Sequence, residues 1–425
     1  MRKLNTIILL SIFILFNIAP IAKAQENPKT VSADSVVLMD AATGKILYEK
    51  NKDSAYPPAS TTKIMTILLT LEKTKLDDIV TVSKNASLAD GSKIYLREGE
   101  KLPVKELLYG LTLASANDCA IALAEHISGS VEEFAKLMNE RAKSLGCTST
   151  NFVNPNGLYD VNHKTSAYDL TLIMQELTKH DTYKEIAMTS SYLMAPTNKC
   201  KDKRPLWNGN RLIQKGDPYY YEDCVGGKTG YTVQSKHSYI AVATRNGQKL
   251  IVALVHDSKK TFFKDSRDLL DYGFDNFVLF KYFNKGDAVS NLTLKDGTVL
   301  PLLASEDLYI VKAKDSTPPP VVKIDGTNSD KLSIKKGDVV SKSTIAFGKD
   351  SYSLDLSSGI DYAKKSSLTN MFSKNNSKKS PLLANIIKYV LVALVLFIIF
   401  MRIRRARRRR RRKSDSYINN FSDRR

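Results

Sequence analysis

The pattern of apolar and polar positions divides the chain into stretches of different period. Val36-Val-Leu-Met39 and Lys45-Ile-Leu-Tyr48 are short apolar runs with Ala41 to Gly44 turning between them, which predicts two buried strands. After Pro57-Pro58, Ile64, Met65, Ile67, Leu68 and Leu71 recur at helical spacing and predict a helix from Ser60 to about Lys73. The two prolines stop that helix from extending backwards. Pro103 opens a second helix through about Leu113, Ala114 to Ala116 break it, and Asn117-Asp118 can cap a third through about Ile127. Gly129 ends that one, and Ser130-Val-Glu-Glu133 is a capping box for a fourth that stops at Gly146. Tyr168 to Leu177 is a further helix. The period then falls to two. Tyr239–Thr244 and Lys249–His256 flank Asn246-Gly247, a strong hairpin signal, and a last helix from about Thr261 to Asp271 ends at Gly273. Strands at both ends, helices between them and no strand–helix–strand alternation predict an α+β unit on an antiparallel sheet, over residues 30–275.

Beyond it the texture changes. Residues 276–361 carry short alternating runs (Ala288–Leu294, Leu308–Ala313, Val321–Ile324) separated by Gly- and Pro-rich turns, which predicts a small all-β domain. Residues 362–381 are rich in Ser, Lys and Asn and read as a stalk. Residues 382–401 are almost entirely apolar, with Lys388 the one charge, and are about long enough to cross a bilayer. Ten of the twelve residues from Arg402 to Lys413 are Arg or Lys, which puts the tail 402–425 on the cytoplasmic side. At the other end Arg2 and Lys3 precede an apolar run, and Ala22-Lys-Ala24 offers a cleavage site, so residues 1–24 read as a signal peptide. An uncleaved anchor is the alternative there.

Charge is to be read after these segments are set aside. The tail carries +10 and the leader +3 of the formal +20, leaving +7 on the outer part. A nucleic-acid reading of the Arg run competes with a stop-transfer reading, and adjacency to an apolar span favours the latter, so no nucleic-acid partner is expected. The four cysteines allow three pairings; Cys200 with Cys224 is preferred because they bracket a polar, Tyr-rich loop, while Cys119 and Cys147 fall in or beside helical patterns. No C-x-x-C, H-E-x-x-H or His cluster supports a metal site, and no cofactor is expected.

Three short strings carry candidate chemistry. Ser60-Thr-Thr-Lys63 puts an amine on the same helical face as a hydroxyl, where it can act as base once burial and nearby positive charge lower its pKa. Ser115-Ala-Asn117 adds a hydroxyl able to relay a proton to a leaving nitrogen, and an amide able to bind a peptide group. Lys228-Thr229-Gly230 on a strand would set a cation and a hydroxyl along a cleft edge suited to a terminal carboxylate, with Gly230 allowing close approach. Backbone N–H groups of Ser60 and Tyr231 could then form an oxyanion hole. S-x-x-K also occurs at Ser333, and S-x-N at Ser83, Ser149 and Ser373. K-[ST]-G occurs once, and a phosphate-loop reading fails because its first glycine would fall at Glu222.

S-x-x-K, S-x-N and K-T-G in this order mark active-site serine enzymes acylated by penicillin. Together with Asn154-Pro-Asn-Gly-Leu158, the strings make residues 30–275 resemble the serine-type D-alanyl-D-alanine carboxypeptidases, the low-molecular-mass penicillin-binding proteins. The resemblance implies a fold related to serine β-lactamases, peptidoglycan stem peptides as substrate and β-lactams as ligands. It also implies an acyl-enzyme on Ser60, Lys63 as base, Ser115 as relay, and Asn117, Lys228, Thr229, Gly230 and Tyr231 as substrate-binding residues. Ala116 stands where glycine is common in the family, and Cys119 lies about one turn from the site. The rival readings are a β-lactamase, disfavoured because no E-x-x-L-N string lies between the second and third motifs, an idle binding module, and an endopeptidase or transpeptidase.

Overall fold

A computed structural model describes residues 30–314, 319–327, 333–363 and 381–419. The predicted signal peptide, most of the predicted stalk and the last six residues lie outside the described residues. The chain forms two compact units, the first being Met1–Asp287, Glu306–Lys323 and Thr344–Leu354.

The first unit is built on an antiparallel sheet. Its strands are β1 (Ser35–Asp40), β2 (Ile46–Lys50), β3 (Cys224–Thr232), β4 (Lys236–Arg245) and β5 (Gln248–Asp257), in the order β2-β1-β5-β4-β3. Side chains alternate across it, and both faces are covered. Val37, Met39, Ile240, Val242, Ile251 and Ala253 meet a helical layer, while Val36, Leu38, Ala241, Leu250, Val252 and Leu254 meet Leu269, Leu270 and Phe274. Two-sided burial is why the strands read as continuous apolar runs. The β4–β5 turn has Asn246 at φ 51° and Gly247 at φ 81°, the left-handed pair a two-residue hairpin needs.

The helical layer holds α1 (Lys63–Lys73), α2 (Val104–Leu113), α3 (Asn117–Ser128), α4 (Val131–Ser144) and α5 (Ala167–Leu177). Ser130 Oγ accepts from Glu133 N at 3.1 Å, as the capping box requires. Three expectations are corrected. The stretch from Ser60 begins as a 3-10 turn, Ala59–Thr62, before α1 starts at Lys63. Asn117 and Asp118 do not cap α3: Ala116 occupies the cap position, and the Asp118 carboxylate accepts N–H groups of Ile94 and Leu96 instead. The last helix, α6 (Phe262–Asn276), runs through Gly273, where an added Cβ would lie 2.6 Å from Leu250 and 2.9 Å from Leu38. That glycine permits close helix–sheet packing and does not end the helix.

The predicted Cys200–Cys224 bridge is absent, and all four cysteines are free thiols. Cys200 Sγ lies 3.5 Å from Asp202 O, whereas the Cys224 thiol is buried in β3 against Asn210 and Gly226.

The second unit comprises Ala288–Ser305, Ile324–Ser343 and Asp355–Arg425. Strands Ala288–Thr293 and Val299–Ala304 pair antiparallel within it. The described part of residues 277–363 is all β, as its alternating runs predict. A helix, Pro381–Asn419, contains the stretch Asn385–Arg405, which is long and apolar enough to cross a membrane.

Candidate active site

Lys63 opens α1 and is fully buried, with Nζ 2.9 Å from Ser60 Oγ and donating to the Asn156 carbonyl at 2.6 Å. Burial pushes this amine well below its ordinary range, and the Lys228 charge pushes the same way. A neutral amine with one N–H held by Asn156 turns its lone pair to the Ser60 hydroxyl, the arrangement of a base beside a nucleophile. The residue before the serine, Ala59, sits at φ 51°, a left-handed backbone that a non-glycine residue adopts under constraint.

The constraint comes from residues 154–163. Gly157, at φ 85°, passes so close that an added Cβ would lie 1.9 Å from Ala59 O. Thr66 Oγ1 donates to Pro155 O at 2.6 Å, tying the same loop to α1. His163 Nδ1 accepts from Val153 N at 3.0 Å, so Nε2 carries the proton it gives to Thr62 Oγ1 at 2.8 Å. Burial, opposed by Asp160 and helped by Lys63, lowers this imidazole to about 4, so the ring is a neutral brace beneath the nucleophile turn.

Ser115 occupies the break between α2 and α3 at φ 56°. Lys228 reaches it from β3: Nζ donates to Ser115 Oγ at 2.9 Å and to Thr229 O at 3.0 Å. Burial lowers Lys228 to about 7. Gly230 lies against the nucleophile turn, where a Cβ would be 2.8 Å from Pro58 O and Ser60 N. Tyr231 is exposed and stacks on His237 at 4.4 Å. Ser60, Ser115, Thr229, Gly230 and Tyr231 therefore line one cleft of about 570 Å³.

Asn117 is buried at the start of α3. Its amide nitrogen donates to Asp90 O at 2.6 Å, while its side-chain oxygen has no partner among the described residues. Cys119 is buried one position beyond Asp118, and burial raises its thiol well above the ordinary range, so it packs and does not react.

Sequence reasoning quoted residues 154–158 without giving them a role, and passed over His163 and Arg211. Asn156 meets Lys63 across 93 positions and His163 meets Thr62 across 101, and no local pattern encodes such contacts. Arg211 had a local trace in the Asn210 cap before it. It lines the cleft with its guanidinium 4.5 Å above Tyr219.

The chain is similar to known proteins over most of its length. A family model described as D-alanyl-D-alanine carboxypeptidase matches residues 21–259, more than half of the chain. The D-alanyl-D-alanine carboxypeptidase DacF of Bacillus subtilis is 35% identical over 380 residues, covering 82% of this chain and 95% of its own. DacC of Escherichia coli, of the same description, is 36% identical over 62% of this chain and 67% of its own. Among solved structures, penicillin binding protein 5 of Haemophilus influenzae superposes with a TM-score of 0.67 at 30% identity, over 80% of this chain and all of that one. The fold is thus that of penicillin-binding proteins, and the chain belongs to the D-alanyl-D-alanine carboxypeptidase family.

Proposed function

We propose that this protein removes the terminal D-alanine from peptidoglycan stem pentapeptides through an acyl-enzyme on Ser60, and that β-lactams acylate the same oxygen. The observation that carries the reading is the buried Lys63 amine 2.9 Å from Ser60 Oγ, which lines one cleft with Ser115, itself bonded to Lys228. Neutral Lys63 takes the Ser60 proton as Oγ bonds to the penultimate D-Ala carbonyl carbon. The backbone N–H groups of Ser60 and Tyr231 face the resulting oxyanion. Ser115, held by Lys228, passes a proton to the departing nitrogen and the C–N bond breaks. Water then cleaves the ester and restores Ser60. Thr229 and Lys228 serve the carboxylate end of the peptide, Gly230 lets its backbone approach, and the Asn117 amide serves a peptide group.

The same proposal extends to the setting. The leader 1–24 is removed, residues 30–275 form the catalytic domain and 276–361 a β domain. A stalk, 362–381, joins these to a single span, leaving 402–425 in the cytoplasm. The span of 21 residues is about 31 Å long as a helix, which matches a hydrocarbon core of about 30 Å.

The test is D-alanine release from a pentapeptide ending in D-Ala-D-Ala. Wild-type protein releases it and Ser60→Ala does not. Equal release by the two would refute the nucleophile.

A further inference from the structure

A two-stranded ribbon near Ser115, Ser191–Met194 against Arg204–Trp207, presents an uncovered apolar face. Its register sets Ser191 opposite Trp207 and Leu193 opposite Pro205. Residues directly opposite in an antiparallel pair share a face, and all four of these are exposed. Leu193 is 55% exposed and Trp207, the single tryptophan of the chain, is 67% exposed.

The opposite face is anchored. Tyr192 stacks on Tyr109 with ring centroids 3.8 Å apart and donates to Glu106 at 2.6 Å, while Arg204 pairs with the fully buried Glu100 at 2.8 Å. Met194 and Leu206 are buried beside them. Asn208, the residue after the ribbon, donates from Nδ2 to Ala187 O and Thr189 O, each at 3.0 Å. The outward indole is therefore a fixed platform and not a fraying tip. A second cavity, of about 270 Å³, adjoins it. Trp207 and Asn208 line this cavity, and Ser115, Gly209 and Thr229 are common to it and the Ser60 cleft. The platform is thus continuous with the catalytic site.

The chemistry of the face selects its occupant. An indole, two aliphatic side chains and the Ser191 hydroxyl carry no charge, so the four residues offer no partner to a peptide carboxylate or a lipid phosphate. Four side chains also fall far short of the roughly 20–30 residues a side that a stable protein interface uses, which disfavours a second copy. A flat apolar ring with a polar edge suits a partner of the same character. A pyranose is one, with C–H groups on its faces and hydroxyls around its rim, and an acetamido substituent would turn into the adjoining cavity.

We propose that this face binds the glycan strand of peptidoglycan, an uncharged chain of β-1,4-linked N-acetylhexosamines, and so holds the enzyme on the polymer that bears its stem peptides. The choice of polymer rests on the carboxypeptidase reading above; the binding of an N-acetylhexosamine chain rests on the ribbon itself.

The test uses the full chain in detergent. Because Trp207 is the single tryptophan, its fluorescence reports this face directly. Titration with a tetramer of β-1,4-linked N-acetylglucosamine should shift the emission to the blue and saturate, and Leu193→Ala, which keeps the reporter, should weaken binding about threefold. On substrates, Trp207→Ala should raise KM for pentapeptides carried on soluble glycan strands about three- to tenfold more than KM for the free pentapeptide, the effect of losing one aromatic contact, and Trp207→Tyr should restore most of the difference. Emission unmoved by millimolar tetramer overturns the proposal, as does an equal change in KM for the two substrates. A blue shift that follows protein concentration without sugar assigns the face to a second copy and overturns it too. No D-alanine release from the free pentapeptide by wild-type protein would sink the carboxypeptidase reading, a failure that the titration does not share.

Discussion

Gly157→Ala is the sharpest structural perturbation of the site, because it touches no reacting group. The added Cβ would stand 1.9 Å from Ala59 O and 2.4 Å from Ala59 C, whereas ordinary contact begins at 3.4 Å, and the obstacle is backbone. The chain also holds this residue at φ 85°, a conformation that costs an L-residue about 1–2 kcal/mol. Overpacking against a rigid neighbour adds about 1–3 kcal/mol. Either the Ala59–Thr62 turn yields, carrying Ser60 away from Lys63, or the loop yields, carrying off the Asn156 carbonyl that holds the Lys63 amine at 2.6 Å. A misplacement of about 1 Å costs about a hundredfold in rate. The expected result is a fold weakened by about 2–5 kcal/mol, the sum of those two effects, and acylation slowed at least about a hundredfold in the folded fraction. Labelling by a fluorescent penicillin, timed in parallel with urea unfolding, measures both. Acylation within twofold of wild type would refute the claim that this loop sets the nucleophile.

Three further outcomes follow from the same geometry. Gly230→Ala places a Cβ 2.8 Å from Ser60 N and Pro58 O, so penicillin acylation should fall about ten- to a hundredfold by the same misplacement argument, with a smaller change in unfolding midpoint. The rate of acylation should follow a bell in pH. Lys63 must be neutral and its pKa is lowered, so the ascending limb lies far below the ordinary lysine range, while loss of the Lys228 proton sets a descending limb near pH 7. A rate still climbing at pH 9 would contradict these assignments. His163 titrates at about 4 in the folded state against 6.5 unfolded, so the unfolded chain binds the proton first as pH falls. Stability present above pH 6.5 should drain away between about 6.5 and 4, by about 3 kcal/mol at 1.36 kcal/mol per unit. Urea unfolding of His163→Asn should lack that segment of the pH dependence.

What could be read from the sequence was what local chemistry encodes. The Ser130 cap, the Asn246-Gly247 turn and the buried strand runs each specify their element within a few residues, and each is present. The three strings predicted a shared cleft, and Ser60, Ser115 and Thr229 line one. Gly273 misled because a glycine in a helix signals an end by propensity, but here serves packing against Leu38 and Leu250, which lie far away in sequence. The cysteine pairing misled because spacing says nothing about direction: Cys224 faces Asn210 in the core of its strand. Asn156, Gly157 and His163 escaped because their work is done on partners about a hundred positions away, and only the fold brings them under the nucleophile.

The central claim is that Ser60 is the atom acylated and Lys63 its base. Peptide mapping by mass after incubation with benzylpenicillin addresses it most directly. The account predicts a single penicilloyl adduct on the peptide containing Ser60, absent in Ser60→Ala and formed far more slowly in Lys63→Gln. An adduct on Ser115, or undiminished labelling of Lys63→Gln, would contradict it.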